Sequence, residues 1–147
     1  MINNVISLIK DDEGFKPFAY DDATGEEVKA PVGKLTFAIG WNIQDNNITE
    51  EFAEMILNYF VKNITNDLCV KIDFFTPLDL VRQAVLINIC FNVGLNGLLK
   101  FKNTLALIRY KKYEQAGIEL LDSDAARKLP KRYSRLSKML ITGEWPQ

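Results

Sequence analysis

The sequence predicts an α+β, mainly α-helical fold, in which a small β-hairpin lobe is joined by one long helix to a larger helical lobe. Three observations carry this. Apolar residues recur at steps of three and four over several long stretches. One segment, residues 16–41, breaks that rhythm with alternation and turn residues. A nearly all-apolar stretch ending at Val93 reads as the central buried helix of the larger lobe. With 147 residues, 48% of them hydrophobic and 25% charged, the chain suits one domain spanning residues 1–147. Its β-containing lobe covers about 13–60, and its helical lobe about 1–12 plus 61–147.

The elements follow in order. Val5, Ile6, Leu8 and Ile9 suit a short helix from Asn3 to Asp12, with Gly14 placed to end it. In the segment that follows, Phe18 and Tyr20 alternate, Thr24-Gly25 and Val32-Gly33-Lys34 are turn material, and Leu35 to Trp41 alternates large with small residues. This is the antiparallel hairpin region. Thr49 before Glu50 and Glu51 opens a helix to Leu68, along which Phe52, Met55, Ile56, Tyr59, Phe60 and Ile64 recur. Thr76-Pro77-Leu78-Asp79 reads as an N-cap with proline at the first helical position, starting a helix that Gly94 and Asn96-Gly97 terminate. Helical patterns at Leu98 to Tyr110, Tyr113 to Leu121 and Lys131 to Ile141 complete the bundle. No repeat, low-complexity stretch or linker interrupts them.

Composition excludes several classes. No apolar run approaches the roughly 18 residues that span a bilayer. Asn3, Asn4 and Ser7 interrupt the first ten residues, so they do not read as a signal peptide, and synthesis in the cytoplasm is expected. Cys69 and Cys90 fall within apolar helical patterns and the chain has no histidine, which predicts two free core thiols, no metal and no cofactor. Charge is unevenly distributed. Residues 1–80 carry 6 Lys/Arg against 14 Asp/Glu, whereas residues 81–147 carry 12 against 5. The basic half favours an anionic polymer, and the acidic half argues against duplex DNA.

The chemistry points to carboxylates. Asp11, Asp12 and Glu13 crowd a helix C-terminus, where the carbonyl dipoles oppose each negative charge by about 0.3–1 kcal/mol. Either this is a solvated acidic turn, or the crowding favours the protonated form of one carboxyl, as general acid catalysis requires. A second acid, Asp22, follows Glu13 after eight intervening residues and sits in the hairpin region, so the two are candidates to flank a cleft. Glycoside hydrolysis uses such a pair, one acid delivering a proton and the other handling water. In the last hairpin strand, alternation sets Thr36, Ala38 and Gly40 on one small face. That face either admits a sugar ring, with Thr36 as a hydrogen-bonding group, or packs under the long helix.

These residues carry a resemblance. Asp12-Glu13-Gly14, Tyr20-Asp21-Asp22, Gly25 and Thr36-Phe37-Ala38-Ile39-Gly40 resemble the active-site segment of the phage-type lysozyme (endolysin, muramidase) family. In the second half, Val81-Arg82, Leu86-Ile87-Asn88, Phe91, Gly94, Gly97, Phe101-Lys102-Asn103, Pro130, Arg132, Arg135 and Thr142-Gly143-Glu144-Trp145 follow that family's order. The resemblance implies a lysozyme-like fold and hydrolysis of the glycan strands of bacterial peptidoglycan, with inversion at the anomeric carbon. It implies that Glu13 is the general acid, Asp22 the carboxylate that directs or activates water, and Thr36 the threonine that completes the site, with Thr24 the competing choice. Arg132 matches an arginine that pairs with the catalytic glutamate. Asn88 and Asn92 either present amides to the cleft or are buried structural residues, and Phe91 and Trp41 are further candidates to bind substrate.

The chain departs from the pattern at the Glu26–Pro31 insertion, at Ala38 in place of the frequent glycine, and at Trp41 in place of the frequent histidine. The implied partner is the glycan strand, met as a monomer, without membrane insertion or nucleic acid, after permeabilisation gives access to the wall. Two other readings follow from the residues: a catalytically silent wall-binding module, and nucleic-acid binding through Arg127, Lys128, Lys131, Arg132, Arg135 and Lys138. For those cations the solvated face of a helix, collecting anionic wall polymer, is the preferred account.

Overall fold

A computed structural model describes residues 2–21, 24–28, 33–37 and 40–146, apart from the side chains at positions 2, 36 and 37. It is mostly helical. The order is α1 (Ile2–Glu13), β1 (Thr36–Phe37), β2 (Trp41–Asn42), α2 (Glu50–Lys71), α3 (Leu80–Leu98), α4 (Lys102–Arg109), α5 (Tyr113–Leu121), α6 (Asp124–Lys128) and α7 (Pro130–Thr142). No single described helix is long and apolar enough to cross a membrane.

The core forms one cluster. Val5, Leu8 and Ile9 of α1 meet Val61 and Leu68 of α2, the buried run Ala84–Ile89 of α3, and Tyr133, Leu136 and Leu140 of α7. α3 supplies its centre because nine of the ten residues from Val81 to Cys90 are buried and seven of the ten are apolar. Burying each large aliphatic group there contributes about 1.5–3 kcal/mol. α1 packs against both α2 and α3, so its C-terminal end is carried to the junction of three helices.

The described β structure is smaller than the hairpin region expected from alternation. β1 and β2 pair antiparallel, Thr36 with Asn42 and Phe37 with Trp41, and an isolated bridge joins Tyr20 to Glu27. Residues 22–23, 29–32 and 38–39 lie outside the described residues, so the second half of the expected Glu26–Pro31 insertion and Ala38 are not placed.

Several sequence expectations are corrected. α3 is capped by Asp79, not Thr76: the Asp79 carboxylate accepts from the Val81 and Arg82 N–H groups at 3.1 and 3.0 Å. The Thr76-Pro77 segment instead forms a turn whose carbonyls accept from Gln83, Thr76 at 3.2 Å and Leu78 at 2.9 Å. By contrast, Gly94 ends the first helical run of α3 as expected: its backbone is non-helical at φ 74°, ψ 165°, a conformation that glycine adopts without steric cost, and a second helical segment continues to Leu98. α6 was not expected, since five residues are too few to show a period; Ser123 caps it through Ala126 N–H.

On α2 the stripe of Phe52, Met55 and Tyr59 faces outward, with Met55 and Tyr59 62% and 64% exposed. Val61, Ile64 and Leu68 make the inner face instead. Cys69 follows Leu68 by about 100° around the helix, which turns it to solvent, so of the two expected core thiols only Cys90 is buried.

Candidate active site

Glu13 is the last residue of α1. Gly14 ends the helix in the left-handed region at φ 70°, with its N–H on the Lys10 carbonyl at 2.8 Å. The chain therefore turns away immediately after Glu13, leaving its side chain 46% exposed at the helix end.

The acids at this end are separated by their partners. Arg132, on the first turn of α7, is only 7% exposed and bridges two of them: its Nη2 donates to Glu13 Oε1 at 2.6 Å, and its Nε lies 3.1 Å from Asp12 Oδ2. Arg135, one turn along α7, places Nη2 2.7 Å from Asp12 Oδ1. Asn88 of α3 donates through Nδ2 to Asp12 Oδ2 at 3.2 Å. Asp12 is thus a buried carboxylate, 6% exposed, held from three sides, while Glu13 takes one contact from the same arginine and stays open. Charges this deep persist only when paired. Arg132 is held by the buried Asp12, which Arg135 also contacts, so it presents a preorganised donor to Glu13.

Asp12 and Arg135 were not singled out as site residues in the sequence. A signal existed: Arg132 lies four and seven residues before Leu136 and Met139, on the apolar stripe of α7, and an arginine in that register requires a buried acid.

A small pocket of about 140 Å³ lies beside Glu13, lined among others by Lys10, Phe15, Glu50, Glu54 and Phe91. It is well below the roughly 300–1,000 Å³ of small-molecule sites, so it holds part of a ligand at most. Lys10 reaches across it to Glu50 at 2.6 Å and to Glu54, tying α1 to the start of α2. Those hydrogen bonds hold the Lys10 ammonium charged to well above its usual range.

The remaining sequence candidates separate. Phe91 shares the pocket with Glu13. Trp41 is 48% exposed and stacks on Phe52 at 6.3 Å between ring centroids. Asn92 accepts through Oδ1 from the Tyr133 hydroxyl at 3.0 Å. Of the two readings open for Asn88, the structure favours the buried structural one: it is 1% exposed and its amide donates to Asp12. Asp22 lies outside the described residues, as does the side chain of Thr36, whose backbone belongs to β1. Thr24, the competing threonine, is engaged in its own turn, its Oγ1 accepting from Glu26 N–H at 3.2 Å. Among the described residues no group of three or more His, Cys, Asp or Glu side chains is placed to hold a metal ion.

Fold and site together define a mostly helical protein with an exposed carboxylate at a helix end, oriented by a buried arginine from the C-terminal helix. No family model matches the chain. Two relatives from Dictyostelium discoideum, "Probable T4-type lysozyme 1" and "Probable T4-type lysozyme 2", are each 26% identical to it over 165 aligned residues, covering 97% of this chain and 96% of the relative. The similarity to these two relatives runs through nearly the whole of both sequences.

Proposed function

We propose that this protein is a lysozyme that hydrolyses the β-1,4 bond between N-acetylmuramic acid and N-acetylglucosamine in bacterial peptidoglycan, as an endolysin in host-cell lysis. The observation that carries the reading is the Glu13–Arg132 contact at 2.6 Å, in which a buried guanidinium fixes an open carboxyl group. The names of the two relatives support it.

In this mechanism Glu13 gives its proton to the glycosidic oxygen as the bond from C1 to that oxygen breaks. A water oxygen bonds to C1 from the opposite face, and Asp22 takes the proton that this water releases. The product is inverted at C1, which requires a carboxyl separation of about 6.5–9.5 Å. Thr36 completes the site; Trp41, Phe91 and Asn92 contact the strand. No cofactor takes part. Residues 1–147 act as one domain and one monomer, and the shared core of α1, α3 and α7 supports that unity. The protein is made in the cytoplasm and reaches the wall once the membrane is permeabilised.

Glu13→Gln tests this. Clearing of permeabilised cells should fall by about 10²–10⁴-fold, the usual contribution of a general acid, with the thermal midpoint little changed because the side chain is half exposed. Asp22→Asn should be severely impaired and Asp21→Asn should not. Normal clearing by Glu13→Gln removes the acid from the mechanism, and wall binding without clearing by the wild type makes the protein a silent binding module.

A further inference from the structure

We propose that the groove where α1 meets the α6–α7 corner is an anion site for consecutive phosphates of a phosphodiester polymer of the bacterial wall, distinct from the Glu13 pocket. The groove has a volume of about 430 Å³ and is bordered by Asp11, Asp12, Lys128, Lys131, Arg132 and Arg135.

Its charges are unequally committed. Asp12 is occupied by Arg132 and Arg135, which fixes both guanidinium groups in the groove wall. Lys131 makes no ion pair or hydrogen bond among the described residues, and Lys128 exerts only a through-space pull on Asp124. Within the groove lining, Asp11 is the acid left to oppose these two lysines. Furthermore, α7 starts here with Pro130 at its first position and no side-chain cap, so its first-turn N–H groups add partial positive charge to the same place.

The lining selects the ligand. It contains no aromatic ring, so nothing stacks on bases, whereas proteins that hold single-stranded nucleic acid combine charge with stacking platforms. Duplex DNA would also meet the acidic excess of residues 1–80. Two lysine point charges beside rigid guanidinium groups suit repeated phosphate monoanions on a flexible, ring-free chain. Arg132 borders the groove and also holds Glu13, so a wall polymer seated there lies alongside the site that receives the glycan strand.

The test measures binding of the full chain to purified poly(glycerol phosphate) by fluorescence anisotropy across a salt series. The wild type should bind, and Lys128→Glu/Lys131→Glu should bind at least about tenfold more weakly near 50 mM salt, with the slope of log K against log salt reduced by about 2. Asp11→Asn should bind more tightly, and it carries the test alone if the double variant does not fold by circular dichroism. Absence of wild-type binding, or equal binding by a folded double variant, overturns the proposal. Tighter binding of a single-stranded oligodeoxynucleotide of equal charge also overturns it, in favour of nucleic acid. This polymer contains no bond between amino sugars, so failure here leaves the hydrolase reading intact, and failure of the Glu13→Gln test leaves this one intact.

Discussion

Around Glu13 the chain offers two kinds of wall. On the helical side, Val5, Leu8 and Ile9 are sealed in the core, and Asp12 and Arg132 are buried and doubly contacted. On the other side, from residue 14 to residue 60, none of the described residues is buried. That stretch holds together through scattered backbone hydrogen bonds such as Ile43 N–H to the Leu35 carbonyl at 2.9 Å, and through open ion pairs such as Lys34–Asp45 at 2.8 Å. The difference teaches how the proposed site divides its work. The proposed proton donor, Glu13, stands at the helical wall, where losing one ionic partner strands a buried charge, whereas surface pairs contribute little because water screens them. The sequence assigns Asp22 to the lightly packed stretch.

The largest effect expected from this contrast belongs to Arg132. Arg132→Met should remove about 3–5 kcal/mol of stability in urea unfolding, because Asp12 then keeps a charge in the interior with Arg135 as its remaining cation. A loss below about 1 kcal/mol would make the two walls energetically alike.

Hydrogen exchange reads the contrast without a mutation. Amides of Val85 to Ile89 should open only with global unfolding, whereas those of Val28, Ile43 and Ile48, whose bonds lie outside the helices, should exchange by local opening well before it. Equal protection in both groups would refute a lightly held stretch.

A smaller effect sharpens the description of the helical wall. Asp79→Ala should cost about 0.5–2 kcal/mol through loss of the α3 cap. Burial pushes the Asp79 carboxyl up, but hydrogen bonds from the Arg82 side chain and backbone outweigh it and hold the group below its ordinary 3.8. Its contribution is therefore present above that pH and is lost as the pH falls through the lower folded-state value, so wild type and Asp79→Ala should converge in acid.

Thiol labelling gives the finest discrimination. Cys69 is exposed and should react at neutral pH, whereas burial pushes the Cys90 thiol up to about 11 and should leave it inert until unfolding. Since Cys90 is raised from 9.0, the stability it lends is complete below pH 9 and declines as pH rises toward 11. Labelling of both thiols in the native state would contradict the sealed core around α3.

Much of the helical lobe was legible because its signals are local. Tyr113–Leu121 was bounded to the residue, and α1, α2 and α7 agree with their periodicity within a few positions. Glycine at 14 and 143 marks two helix ends by backbone chemistry that neighbouring residues do not alter. The α2 face was not legible. Phe52, Met55 and Tyr59 satisfy the same spacing rule as Val61, Ile64 and Leu68, and only docking against α1 and α3 decides which stripe meets the core.

The same division runs through the site. Sequence alone determined where helices run, that Glu13 stands at the end of one, and that acidic and basic residues segregate between the halves, because each of these depends on neighbours along the chain. Tertiary structure decided which acid is buried and which stays open. Arg132 lies 119 positions from Glu13, and its contacts with Asp12 and Glu13 exist only because α1 and α7 are brought together over α3, where exclusion of water makes pairing obligatory.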